Sequence, residues 1–213
     1  MKRNLGVFAA AALFASSAAF AEKPAATGAS TWEIDSAHSS AQFSVRHLMV
    51  SNVRGEFGKV TGTVVYDGKD IGKSTVEATI DASTISTRDE KRDGHLKSPD
   101  FFDVAKYPTI TFKSTKVEKA GKDKLKVIGD LTIHGVTKQA TLNVDGPSAA
   151  QKDPWGNEKS GAEATTKINR KDFGLTWNKA LESGGVVVGE EVTITLDVEL
   201  LKKAAPGAPA PAK

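Results

Sequence analysis

The sequence predicts an all-β domain of about seven to nine antiparallel strands, closed as an up-and-down barrel or stacked as a sandwich. Three observations carry that reading. Apolar and polar residues alternate with a period of two through most of the chain. Short turn signals such as Asp67-Gly68 and His134-Gly135 separate the runs. The alternation then breaks most conspicuously over residues 87–114, where charges, aromatics and a histidine crowd together. A period of two is the mark of a strand with one face buried.

Residues 40–48 set Ala41, Phe43, Val45 and His47 on one face, against Ser40, Gln42, Ser44 and Arg46 on the other. Residues 53–66 contain Gly55, Gly58 and Gly62, as in a long strand kinked or bulged where a barrel must bend. Alternation resumes with Val76, Ala78, Ile80 and Ala82. It continues through Ile110, Phe112 and Ser114, then Leu125, Val127, Gly129, Leu131 and Ile133, and returns along Ala140, Leu142 and Val144. Irregular sections at 145–160 and 170–185 flank a strand marked by Ala162, Ala164, Thr166 and Ile168. Trp155 and Trp177 lie in those sections and read best as caps on the barrel ends. The last strand is the clearest, with Val192, Ile194, Leu196, Val198 and Leu200 opposite Thr193, Thr195, Asp197 and Glu199.

The inward faces mix large residues (Phe43, Phe57, Phe112, Leu131) with small ones (Ala41, Ala78, Ala82, Ser114, Gly129, Ala162, Ala164). A barrel of about eight strands is just filled by side chains or holds one small ligand. Small inward residues favour the hollow alternative. His47 then reads as a polar point in an apolar interior.

Thr87 followed by Glu90 has the capping-box spacing, so a short helix is expected from about Arg88. Ser98-Pro99 reads as a second helix start, after which Phe101 and Phe102 come together and Tyr107-Pro108 makes a turn. A long non-strand insertion in an all-β domain is either a plug, a lid over a ligand site, or a partner surface. The mixed charges over 88–93 are a solvated helix face, or they place Arg88, Lys91, Arg92 or His95 at a mouth to pair with a ligand head group.

Lys2 and Arg3 precede the apolar run 5–15, and Ala19-Phe20-Ala21 fits a small-x-small site. This pattern is a secretory signal peptide cleaved after Ala21. No other stretch is apolar enough to span a membrane. The net charge of +3 becomes +1 without Lys2 and Arg3, which argues against a nucleic-acid partner. With no cysteine, the exported chain depends on its core alone. Residues 22–30 read as a linker, 31–203 as the single domain, and the Pro/Ala-rich 204–213 as a flexible tail.

Catalytic and metal motifs are sparse. Residues 68–74 imitate a phosphate-binding loop but lead into a strand, so no helix N-terminus is available. The histidines at 38, 47, 95 and 134 never take metal-ligand spacing, and no nucleophile elbow occurs. Asp35, His38 and Ser39 are triad residue types too close in sequence to adopt triad geometry. An enzyme using His47 or His95 as general base is the alternative to a binding protein.

Several blocks together resemble the YceI family of polyisoprenoid-binding, lipocalin-like periplasmic proteins. They are Trp32-Glu33-Ile34-Asp35 with His38-Ser39, Phe43-Ser44-Val45-Arg46-His47, Gly55-Glu56-Phe57, and Arg92-Asp93-Gly94-His95-Leu96-Lys97-Ser98. Asp100-Phe101-Phe102-Asp103-Val104, Gly129-Asp130-Leu131-Thr132-Ile133-His134-Gly135, Asp153-Pro154-Trp155-Gly156 and Asn169-Arg170-Lys171-Asp172-Phe173-Gly174-Leu175 complete the series. The resemblance implies an eight-stranded antiparallel barrel with a helical insertion around 88–104. It further implies an apolar pore for an isoprenoid or other long-chain amphiphile, no enzymatic activity, no cofactor, no metal, and a homodimer. On this reading Phe43, Val45, His47, Phe57, Ile80, Phe101, Phe102, Ile110, Phe112, Leu131, Ile133, Phe173 and Trp177 are pore residues. Arg92 and His95 are placed at the mouth.

Overall fold

A computed structural model describes residues 28–182 and 184–204. The expected signal peptide, most of the expected linker and residues 205–213 of the tail lie outside the described residues. Strands β1 (Ala29–Ile34) and β2 (Ser40–His47) are two halves of one stave, broken over 35–39. The first strand thus begins at Ala29, two positions before the start read from the sequence. Strand β3 (Ser51–Phe57) returns along β2, and β4 (Val60–Asp67) continues along β1, with a break at Gly58 and Lys59. Strand β5 (Thr75–Asp81) lies beside β4, and the short β6 (Ile85–Ser86) prolongs that stave beside β3.

A meander of β7 (Thr109–Gly121), β8 (Lys124–Ile133) and β9 (Val136–Asp145) follows. The two-residue β10 (Gln151–Lys152) folds onto β11 (Glu158–Asn169), which pairs with β9. Strand β12 (Val188–Lys202) then bonds to β11 along one edge, and to β2 and β1 in succession along the other. Eight antiparallel staves therefore form a closed up-and-down barrel rather than a sandwich. No helix among the described residues is long and apolar enough to cross a membrane.

The helical end of the barrel carries the β2–β3 turn, the insertion between β6 and β7, the β8–β9 turn and the segment before β12. The far end carries the β4–β5, β7–β8 and β9–β11 connections. In the β4–β5 connection the Asp67 carboxylate accepts the amides of Lys69 and Asp70, and one 3-10 turn, Ile71–Lys73, leads into β5. A carboxylate thus takes the amides that a phosphate would need.

The insertion's helix, α1 (Glu90–Lys97), starts later than the capping-box spacing indicates. Arg88 adopts left-handed backbone (φ 63°), which turns the chain between Thr87 and the helix. Asp89 is the cap instead, accepting the Arg92 amide at 3.0 Å. Thr87 is buried and tied to Asp93, while Arg92 donates from Nε to its hydroxyl at 2.7 Å and from Nη2 to its carbonyl at 2.9 Å. Ser98 starts no second helix. Its hydroxyl donates to the His95 carbonyl at 2.8 Å, closing α1, and the chain continues in turns.

A polar cluster bridges the break between β1 and β2. Lys159 Nζ lies 2.8 Å from Asp35 Oδ2 and 2.6 Å from Glu199 Oε1, and His38 Nδ1 lies 3.0 Å from Asp35 Oδ2. The Asp35 amide donates to the Glu199 carbonyl at 2.9 Å, and Ser39 Oγ accepts the Glu199 amide at 3.0 Å. Asp35, His38 and Glu199 could ligate a metal by spacing, but the Lys159 ammonium supplies the cation there.

The Lys159 ammonium, and after it His38, hold the Asp35 carboxyl well below its ordinary value of 3.8. Folded Asp35 therefore binds a proton more weakly than unfolded Asp35. Its contribution to stability is present above the unfolded value and fades as the pH falls through the acid range. We predict that Asp35→Asn lowers the urea midpoint at pH 7, and that the gap to the wild type narrows at about pH 3. A constant gap across that range would show that the cluster does not act through charge.

Candidate functional site

The barrel encloses a cavity of about 690 Å³. Every long stave contributes to its wall through alternate residues, including Ile34 and Ala41, Val60 and Val64, Val76 and Ala78, Val127, Leu142, Ala164 and Leu196. At the helical end, Leu96, Phe101 and Phe102 from the insertion reach the wall. Phe102 meets Phe57 edge-on with centroids 5.6 Å apart, and Phe57 lies 5.9 Å from Phe43. The insertion and this aromatic row close that end. Ser30, Tyr66, Asp123 and residues 147–150 border the other.

Of the residues expected in the pore, Phe43, Val45, Phe57, Ile80, Phe101, Phe102, Ile110, Phe112, Leu131 and Ile133 lie on the cavity wall. His47, Phe173 and Trp177 do not. His47 has the inward parity of its strand but is its last residue, beyond the level at which the wall ends. Phe173 is 2 % exposed but is carried by the 3-10 turn Arg170–Phe173, which packs against β9 and β12 rather than within the ring. Trp177 is half-buried, its ring tilted against Phe101 at 5.2 Å and edge-on to His95 at 5.0 Å, behind the wall.

The expected mouth residues have other partners. Arg92 is directed to Thr87. His95 bonds through Nε2 to Asp100 Oδ2 at 2.8 Å, a carboxylate partner that the sequence had not indicated. Neither lies on the cavity wall, so His95 is not placed to act as a base on a molecule inside it. Trp155 is also not a cap, being 80 % exposed in a turn that Asp153 organises by accepting the Trp155 and Asn157 amides. Ser39, the nucleophile type near His38, has its hydroxyl engaged by the Glu199 backbone.

The sequence reading missed Arg170. This side chain lies on the cavity wall at the helical end and is 3 % exposed. Burial pushes its guanidinium below its ordinary value. The available signal was a lone arginine between Ile168 and Phe173-Gly174-Leu175, in a section with otherwise apolar anchors.

Of the small residues expected to face inward, Ala82 lies in a 3-10 turn past the end of β5 and Ser114 accepts the Val76 amide, both off the cavity wall, and the others divide into two groups. Ala41, Ala78, Ala162 and Ala164 border open space. Gly129 does not, because a Cβ there would stand 2.6 Å from the Phe112 ring and 2.4 Å from the Lys113 carbonyl. Gly55 is likewise covered by the Phe43 ring. Each of these glycines admits an aromatic ring to the interior instead of enlarging the cavity.

The YceI-like domain model matches residues 32–200. The chain belongs to the YceI family. Relatives include a UPF0312 protein of Vibrio cholerae, 42 % identical over 154 residues, covering 71 % of this chain and 81 % of that one. Another, from Staphylococcus aureus, is 39 % identical over 165 residues, with coverage of 78 % and 94 %. Among solved structures, the Campylobacter jejuni YCEI protein is 32 % identical with a TM-score of 0.63, covering 74 % of this chain and 90 % of that one. Burkholderia cenocepacia BcnA has a TM-score of 0.66 at 23 % identity, covering 78 % and 98 %, and shares the fold. A polyisoprenoid-binding domain from Saccharophagus degradans, implicated in plant cell wall breakdown, also shares it. Its TM-score is 0.58 at 17 % identity, covering 81 % and 98 %.

The two classes of small residue should respond unequally to enlargement. Ala164→Leu extends into open space and should cost less than about 1 kcal/mol in urea unfolding. Gly129→Ala overpacks and should cost roughly 1–3 kcal/mol. Equal costs for the two would mean that the interior is uniformly packed.

Proposed function

We propose that this YceI-family barrel is a binding protein that holds one long apolar chain, an isoprenoid lipid or a similar amphiphile, along its axis. The observation that carries the reading is the cavity of about 690 Å³, walled by aliphatic and aromatic side chains from every long stave. That volume lies in the range of small-molecule sites, about 300–1,000 Å³. Transfer of a chain from water into such a wall gains about 0.8 kcal/mol per CH2. Affinity then comes from length rather than from polar contacts, and different lipid chains are accepted. The polyisoprenoid-binding domain of Saccharophagus degradans, which has the same fold, supports the choice of an isoprenoid. An isoprenoid quinone belongs to the same class of ligand.

The role is that of a carrier or sequestering protein rather than an enzyme, since His47 and His95 both lie off the cavity wall. The signal-peptide pattern ending at Ala21 supports a periplasmic location, with a mature chain beginning at Glu22. The homodimer implied by the family resemblance belongs to the same proposal, and light scattering on the mature protein would test it.

Native mass spectrometry of mature protein, purified from periplasm without detergent, should give a discrete added mass that extracts into solvent as an isoprenoid. Ala164→Trp, which fills the middle of the cavity, should abolish that mass while the barrel stays folded. A clean apo mass that persists after incubation with polyprenyl lipids and quinones would overturn the proposal.

A further inference from the structure

Arg170 is the one cationic side chain on the cavity wall among the described residues. It is 3 % exposed. Its Nε donates to the Gly189 carbonyl at 2.8 Å, Nη2 to the Val188 carbonyl at 3.2 Å, and Nη1 to the Leu175 carbonyl. A guanidinium has five N–H donors, so one on each terminal nitrogen is left without an acceptor in these bonds. No carboxylate among the described residues forms an ion pair with it. Glu190 acts on it only through space and is itself paired with Lys171 at 2.5 Å. The one carboxylate on the wall among the described residues, Asp123, is exposed at the far end of the barrel.

A buried cation held by neutral carbonyls is an expensive arrangement unless a counter-charge joins it. Three backbone bonds account for the position of the guanidinium, and the through-space pull of Glu190, already paired with Lys171, offsets its burial only in part. The neighbouring wall, from Ile168, Leu175, Val188 and Val192, is apolar and offers no anion. An anionic oxygen brought in by a ligand would supply the charge and accept the two remaining N–H groups, the fork geometry that arginine suits.

We propose that Arg170 is the head-group subsite of the cavity, binding a carboxylate or phosphate oxygen. The ligand is then an anionic amphiphile that lies in one direction only, with its head at the helical end and its chain running past Ala164 and Leu196 toward Trp32 and Tyr66. This rests on the reading of the barrel as a lipid-binding protein, and adds ligand charge and polarity of insertion to it.

The test uses delipidated full mature protein and two sets of probes. Phytanic acid and phytane share one branched chain and differ in the head. Wild-type protein should bind the acid at least about tenfold more tightly, as a charge-assisted pair requires. Arg170→Gln should reduce that preference to less than about threefold, and Arg170→Lys should keep part of it. Hexadecanoic acids brominated at carbon 2 or carbon 16 report direction. Bromine beside the carboxylate should quench Trp177, which packs against Phe101 at the helical end, and terminal bromine should quench Trp32, with Trp→Phe variants assigning each signal.

Equal binding of acid and hydrocarbon by the wild type, or a preference that survives in Arg170→Gln, overturns the subsite and leaves the lipid-binding reading standing. Absence of binding by every probe overturns both. Should Arg170→Gln fail to fold, the acid–hydrocarbon ratio and the bromine positions in the wild type still decide the matter.

Discussion

Strand β12 is hydrogen-bonded along both edges, to β11 over residues 191–201 and to β2 and then β1 on its other side. This closure is the constraint on which the remaining features depend. It gives each of the eight staves a bonded neighbour on both sides, with β9 and β11 joined only through Asn143–Asp145 and Glu163–Thr165, so the long apolar strands offer little free edge to other chains. It also fixes the diameter, because strand number and tilt set how much room a barrel has inside. The breaks at 35–39 and 58–59 let the first two staves bend around the ring. The Asp35–Lys159–Glu199 cluster joins β1, β11 and β12 across the first of them.

With the diameter set, side-chain size decides what the interior is. Phe112 and Phe43 enter the ring because Gly129 and Gly55 make room for them, and the alanines at 41, 78, 162 and 164 leave space elsewhere. The aromatic row Phe43–Phe57–Phe102 and the insertion residues Leu96 and Phe101 then close the helical end. A hollow, one-end-closed barrel follows from those choices. Arg170, the single buried cation among the described residues, stands where the closed end meets the apolar wall.

The strands and their facing were legible because a closed barrel imposes the same inward–outward rule on every stave. The residues from Val192 to Leu200 alternate in the sequence as they do around the cavity. Facing, however, says nothing of height along the axis. His47 has the right parity and lies past the end of the wall. Alternation also fails at bulges, and the register shift after Ser114 turns Val117 inward where a strict period of two would place Lys116. The insertion was legible as an interruption but not in detail, since its partners are set by tight turns. The left-handed Arg88 moves the helix cap to Asp89, and the turn after α1 brings Asp100 to His95. Arg170 went unassigned because an arginine in an irregular segment is ordinarily at the surface.

The central claim is that the interior is a built cavity rather than a packed core. A high-resolution crystal structure of mature protein purified without detergent tests it most directly. The account predicts one continuous tube of density along the axis, bounded by Phe102 at one end and Tyr66 at the other, with the wall side chains in place. Wall residues meeting across the axis, with no space between β5 and β11, would contradict it.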